Sequence, residues 1–167
     1  MDLSSDTNVW IDFYIIGGLE LPFRLDHIFY MSSDAIGDEV LSPADLSEKL
    51  VILGLIGLEV SEDEYYLAYS FVVKYPKLSR YDGIALAISK LRGFVLLSGD
   101  RALRCAAECE SVEVRGTLWV YDELVRAGRI TLEERLFYLS LLEDNNGGCR
   151  GVRLPSSEIR KRLDILR

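Results

Sequence analysis

The chain predicts an α/β fold: a mostly parallel β-sheet flanked by α-helices, with a C-terminal helical extension. Three observations predict it. Short apolar runs alternate with segments of helical periodicity, the pattern of βαβ units. Phe94-Val95-Leu96-Leu97 is a continuous apolar run of strand length, ended by Ser98-Gly99 just before a helical pattern opens at Arg101. Helix starts and stops recur as capping boxes and glycines. With 167 residues, 49% of them hydrophobic, the chain has the material for one domain, or one domain with a tail.

Leu3-Ser4-Ser5 reads as a short first strand, more polar than a central strand usually is. Asp6-Thr7-Asn8 forms a turn, and Val9 to Ile16 a helix stopped by Gly17-Gly18. Ile28 to Met31 is the second strand; Asp34 caps a helix through Ile36, Glu39 and Val40 toward Pro43. Ala44 to Leu53 is a helix, and Gly57 to Val60 a third strand. Ser61 and Glu64 form a capping box that opens a helix reaching Tyr75-Pro76. Ser79 caps the next helix, with Asp82 at its third position and Ile84, Ala87, Ile88 and Leu91 on one face. After the Phe94 strand come a helix from Arg101 to Glu110 and a last strand, Val112 to Val114. Thr117 caps a helix to Ala127, and the box Thr131/Glu134 opens another to about Glu143. Asp144 to Gly148 is a flexible break, and a terminal amphipathic helix starts at Pro155-Ser156-Ser157.

There is no signal-peptide pattern and no apolar run of membrane-spanning length, so the expectation is a cytoplasmic protein without membrane contact. Cys105, Cys109 and Cys149 read as free thiols in a reducing compartment, with Cys105 and Cys109 packed inside a helix interface. His27 is the single histidine, which leaves no His-based triad or zinc cluster. The net charge of −8 argues against a broad basic footprint, although an acidic metal site would itself contribute negative charge. Arg150, Arg153, Arg160, Lys161, Arg162 and Arg167 make the C-terminus locally basic, as a solvated helix face or as a contact for phosphate or a partner.

Asp6, Asp82 and Asp100 each fall near the carboxyl edge of the sheet, and Glu39 comes after the second strand. Ligands bind at that edge in open α/β sheets. Carboxylates held close together either raise a pKa or hold a cation, and Mg²⁺ and Mn²⁺ take oxygen ligands. No phosphate-binding glycine loop, Gly-x-Ser-x-Gly elbow or dinucleotide fingerprint offers other chemistry.

Asp6-Thr7-Asn8, Ile36-x-x-Glu39, Tyr81-Asp82 opening an alanine-rich helix, and Ser98-Gly99-Asp100 after an apolar strand occur in that order. In order, spacing and context the chain resembles the PIN-domain nucleases, which include the VapC-like toxins of toxin–antitoxin pairs, over roughly residues 3 to 117. Gly116-Thr117-Leu118-Trp119 and the helices after it are similar to the C-terminal part of one prokaryotic subgroup. The resemblance implies a Rossmann-like parallel sheet flanked by helices in a PIN-like fold, with a nuclease domain over residues 1–117 and residues 118–167 as a helical extension packed on it. It implies an acidic site of Asp6, Glu39, Asp82 and Asp100 binding Mg²⁺ or Mn²⁺, with Asn8 bracing the first loop and the Ser98 hydroxyl bonding within the site. It further implies RNA as substrate, an antitoxin protein as partner if the chain is a toxin, and a homodimer. Asp38 adjoins Glu39, and a one-residue shift would swap them; Ile36 in the family's apolar position favours Glu39. Two other readings stay open: a catalytically silent binding or scaffold protein, and a phosphatase of the haloacid dehalogenase type using Asp6. The latter wants an acid two positions on, where this chain has Asn8.

Overall fold

In the computed structural model the described residues are 1–40, 45–147 and 152–164. They divide into two compact units, Met1–Asn8 with Asp26–Arg115 and Val9–Leu25 with Gly116–Arg167. The first unit is α/β. Its five strands are β1 (Asp2–Ser5), β2 (Ile28–Ser32), β3 (Ile56–Leu58), β4 (Val95–Leu97) and β5 (Val114–Arg115). They form one parallel sheet in the order β3-β2-β1-β4-β5. The sheet grows outward from β1 to β3, then returns to the other side of β1 for β4. The order therefore reverses between β1 and β4, and a crevice opens there at the carboxyl ends of the strands.

The helices of this unit are α2 (Ser33–Asp38), α3 (Leu46–Leu53), α4 (Glu62–Lys74), α5 (Arg80–Arg92) and α6 (Arg101–Cys109); α1 (Thr7–Ile15) starts in it and continues into the second. Central β1 can be polar because its serines are satisfied. Ser4 Oγ donates to the Ala85 carbonyl at 3.3 Å and Ser5 Oγ to that of Tyr30 at 3.0 Å, and both residues are buried. Helix α5 is the central helix. Gly83 through Ser89 are all buried, and Ile84, Leu86, Ile88, Leu96 and Leu103 share one core. Gly83 brings α5 close to α4: a Cβ there would stand 2.9 Å from the Ala68 carbonyl oxygen and 2.8 Å from Val72 Cγ2.

The second unit is helical, with α7 (Thr117–Arg126), α8 (Leu132–Asp144) and α9 (Ser156–Asp164) joined by most of α1. Trp10 stacks on Phe23 with ring centroids 5.3 Å apart, and Phe13 packs on Tyr121 at 5.3 Å. Asp122 pairs with both Arg135 and Arg162. Among the described basic residues of the C-terminus, Arg160 pairs with Glu143, while Lys161 and Arg162 pair with Glu158. Cys149, Arg150, Arg167, Pro43, Ala44 and Gly148 lie outside the described residues.

Several expectations are corrected. Ser32, not Asp34, caps α2, because its hydroxyl already reaches the Ala35 N–H at 3.2 Å. That helix stops at Asp38, with Glu39 as its C-cap residue. Gly116 stands at the N-cap of α7, and Thr117 lies one residue inside, its hydroxyl turned to Asp12. Strand β3 is displaced toward the N-terminus and β5 toward the C-terminus of their expected spans, since backbone pairing with β2 and β4 sets the register. Leu91 is exposed because the last turn of α5 runs past the core. Cys105 and Cys109 are also exposed, on the face of α6 opposite Leu103 and Ala107. Among the described residues no helix is long and apolar enough to cross a membrane.

Candidate functional site

Asp6 directly succeeds β1. Its N–H donates to the Leu97 carbonyl at 3.0 Å, so it stands where the strand order reverses. Its carboxylate is buried. Ser98 Oγ donates to Asp6 Oδ2 at 3.0 Å, and the Asp100 N–H donates to Ser98 Oγ at 3.0 Å. One buried hydroxyl therefore ties the loop after β4 to the end of β1. Asn8 Nδ2 donates to the same oxygen of Asp6 at 3.3 Å, so Asn8 braces the carboxylate itself.

Three of the four acids stand at helix N-termini. Asp6 precedes α1 and accepts the Asn8 backbone N–H. Asp82 is the third residue of α5 and forms a capping box with Ser79, its Oδ2 accepting the Ser79 N–H at 2.7 Å. Asp100 caps α6, Oδ1 accepting the Leu103 N–H at 2.8 Å. Unpaired N–H groups and the helix dipole stabilise a carboxylate at such a position. Glu39 comes from the other side of β1, at the end of α2. Thr7 Oγ1 donates to Glu39 Oε2 at 2.8 Å, and Asp6, Thr7, Glu39 and Tyr81 line one small pocket. The neighbouring Asp38 is exposed and accepts the Tyr81 hydroxyl at 2.6 Å.

The acids feel one another. Burial, and then the charge of Asp82, pushes the Asp6 carboxyl up to about 6, against the hydrogen bonds from Ser98 and Asn8. Asp82 is raised by burial and by Asp100, opposed by its bonds to Ser79. Glu39 is raised by burial and by Asp82, opposed by Thr7. The charge of Asp82 thus bears on Asp6 and Glu39, and that of Asp100 on Asp82. Among the described residues none of the four is paired with Lys or Arg. In their hydrogen bonds Glu39, Asp82 and Asp100 each use one carboxylate oxygen and leave the other.

No three His, Cys, Asp or Glu side chains among the described residues gather closely enough to cage a metal by themselves. The donor set is all-oxygen, negative and without a paired cation. That chemistry suits an ion such as Mg²⁺, which keeps several waters and uses one or two carboxylates directly. The sequence does not mark Thr7, although it sits beside Asp6, because its partner Glu39 arrives from the end of α2. Nor does anything in its local pattern mark Arg104, whose Nη1 donates to the Ser98 carbonyl at 3.0 Å.

The fold and site together define a parallel α/β protein with the buried carboxylate of Asp6 at the topological switch point. No family model matches the chain, and no curated protein or solved structure matches it.

Proposed function

We propose that this chain is a Mg²⁺- or Mn²⁺-dependent endoribonuclease of the PIN-domain kind, hydrolysing phosphodiester bonds in single-stranded or loop RNA. The observation that carries the reading is the buried Ser98 hydroxyl at the β1/β4 crevice, which donates to the Asp6 carboxylate and accepts the Asp100 backbone N–H, with Asp6 and Glu39 lining one small pocket. One or two of Asp6, Asp82 and Asp100 would hold the ion directly and the rest through its waters, with Glu39 direct or through water. Bound there, such an ion supplies charge neutralisation at the phosphodiester and an activated water.

The chain's own residues do the orienting. Ser98 and Asn8 fix one oxygen of Asp6, and Thr7 fixes one oxygen of Glu39. Ser98 is fully buried with both hydroxyl roles occupied, so it is a positioning residue and not a nucleophile. The phosphatase reading loses support because the residue two after Asp6 is an amide bonded to Asp6 itself. Whether the enzyme is a toxin with an antitoxin partner or acts alone is decided by a genomic neighbour encoding a small DNA-binding protein.

The test is Mn²⁺ calorimetry with cleavage of an unstructured RNA, wild type against Asp6→Asn and Asp82→Asn. Asn keeps the capping geometry and removes the charge. Cleavage is expected to fall about 100-fold or more, with metal binding weakened and the melting temperature held. Cleavage retained in both variants, or no wild-type binding up to millimolar Mn²⁺, overturns the reading and leaves a scaffold protein.

A further inference from the structure

A groove of about 750 Å³ runs along α6 and ends on Asp100. Lys74 to Leu78, at and just after the end of α4, form one wall; Arg101, Ala102, Cys105, Ala106 and Cys109 form the other. Along α6 this distance is about 13 Å, longer than one nucleotide. The lining is largely apolar and includes Tyr75. One wall is anchored: Glu110 accepts from Lys74 at 2.7 Å and from the Tyr75 hydroxyl at 2.8 Å. Two cations on the rim are not used this way. Lys77 and Arg101 are exposed, and among the described residues neither has a hydrogen bond or an ion pair.

We propose that this groove seats the RNA strand beside the scissile phosphate, with Lys77 and Arg101 on its backbone phosphates and the apolar lining against a base; this rests on the nuclease reading. The net charge of −8 makes these cations informative. An acidic molecule that binds a polyanion needs local positive charge next to its acidic centre, and both rim cations lie along the groove that leads to Asp100. Aromatic and apolar surface between phosphate contacts is the pattern of sequence-tolerant single-strand binding. The strand would leave the acids along α6, so specificity for the neighbouring nucleotide lies in the loop between α4 and α5.

The thiols supply a readout independent of cleavage. Cys105 and Cys109 are exposed and line the groove. They fall on one tryptic peptide, Cys105–Arg115, and Cys149 falls on another. The experiment measures binding of a labelled single-stranded oligouridylate in EDTA, together with alkylation of that peptide by mass spectrometry. It compares the wild type, the double variant Lys77→Ala/Arg101→Ala, and Arg126→Ala as charge control. Alkylation is expected to slow about tenfold at an oligonucleotide concentration about ten times Kd. The double variant should lose affinity about tenfold or more, and its slope of log K against log salt should fall by about 1.4, two single-strand phosphate contacts. Arg126→Ala should match the wild type, and circular dichroism should show all three folded.

Unprotected thiols, an unchanged double variant, or no oligonucleotide binding at all overturns the proposal. Equal protection by polyglutamate also overturns it, in favour of an acidic peptide. Protection in EDTA without cleavage in Mn²⁺ supports the groove and counts against the nuclease reading. Metal-dependent cleavage that ignores both cations does the reverse.

Discussion

Single side chains here often serve two ends. Asp6, Asp82 and Asp100 satisfy helix N-termini and also supply the carboxylates of the candidate site. Either role was readable from sequence; that both hold for one residue was not, because a cap is local and a cluster is not. Asp12 shows the cost of burying such a group. It is buried in the second unit, where Thr117 Oγ1 donates to it at 2.7 Å, and burial pushes its carboxyl up to about 6 against that bond. Its pKa is higher folded than unfolded, so the folded state holds the proton more tightly. The resulting stability is complete at pH values below the ordinary 3.8 and is lost as pH rises through about 6. Asp12→Asn removes this dependence. Urea unfolding at pH 4.5 and 7.5 should show the wild type losing about 2 kcal/mol relative to the variant across that range. Parallel behaviour would mean that Asp12 titrates normally.

At the scale of elements, α5 shows best what a sequence discloses. Its capping box, its apolar girth and its glycine stop predicted a central helix, and residues 83–89 are buried. Gly83 reads in sequence as a weak point in that helix, whereas in the fold it is the place where α4 comes closest. Gly83→Ala gains about 1 kcal/mol of helix propensity and meets a backbone carbonyl oxygen that cannot swing aside. A net loss of about 1–3 kcal/mol in urea unfolding is expected. A variant as stable as the wild type would show that the two helices can part cheaply. Strand β1 was harder to read. Ser4 and Ser5 look like surface residues until β2 and α5 supply the carbonyls that accept their hydroxyls. Cys105 and Cys109 failed the other way, since apolar character says nothing about which face of a helix meets the sheet. The places of the acids in the fold were legible because each lies beside a recognisable element boundary. Thr7 was not, because its partner Glu39 lies 32 positions away at the end of α2, and Arg104 was not, because only the folded turn before α6 brings the Ser98 carbonyl to it.

For the whole molecule, the grouping of Val9–Leu25 with Gly116–Arg167 carries no local signal, because it is made by contacts such as Phe13 on Tyr121. Those contacts predict the fate of a chain cut after Thr117. Phe13 would lose Tyr121, and a fragment of residues 1–117 should bind a hydrophobic dye and melt below the full chain or without a cooperative transition. A fragment melting cooperatively at the full-length temperature would show that the first α/β unit needs nothing beyond itself.

The strand order also has a consequence in time. Asp6 and Ser98 are separated by 92 positions, and β4 must insert beside β1 before either meets the other. During synthesis, Ser98 is added roughly 5 to 20 s after Asp6. A nascent chain therefore carries its first acid well before it carries a site. Any partner that recognises the assembled crevice can engage only once β4 has emerged, so a premature stop before Phe94 yields a product with no crevice to recognise.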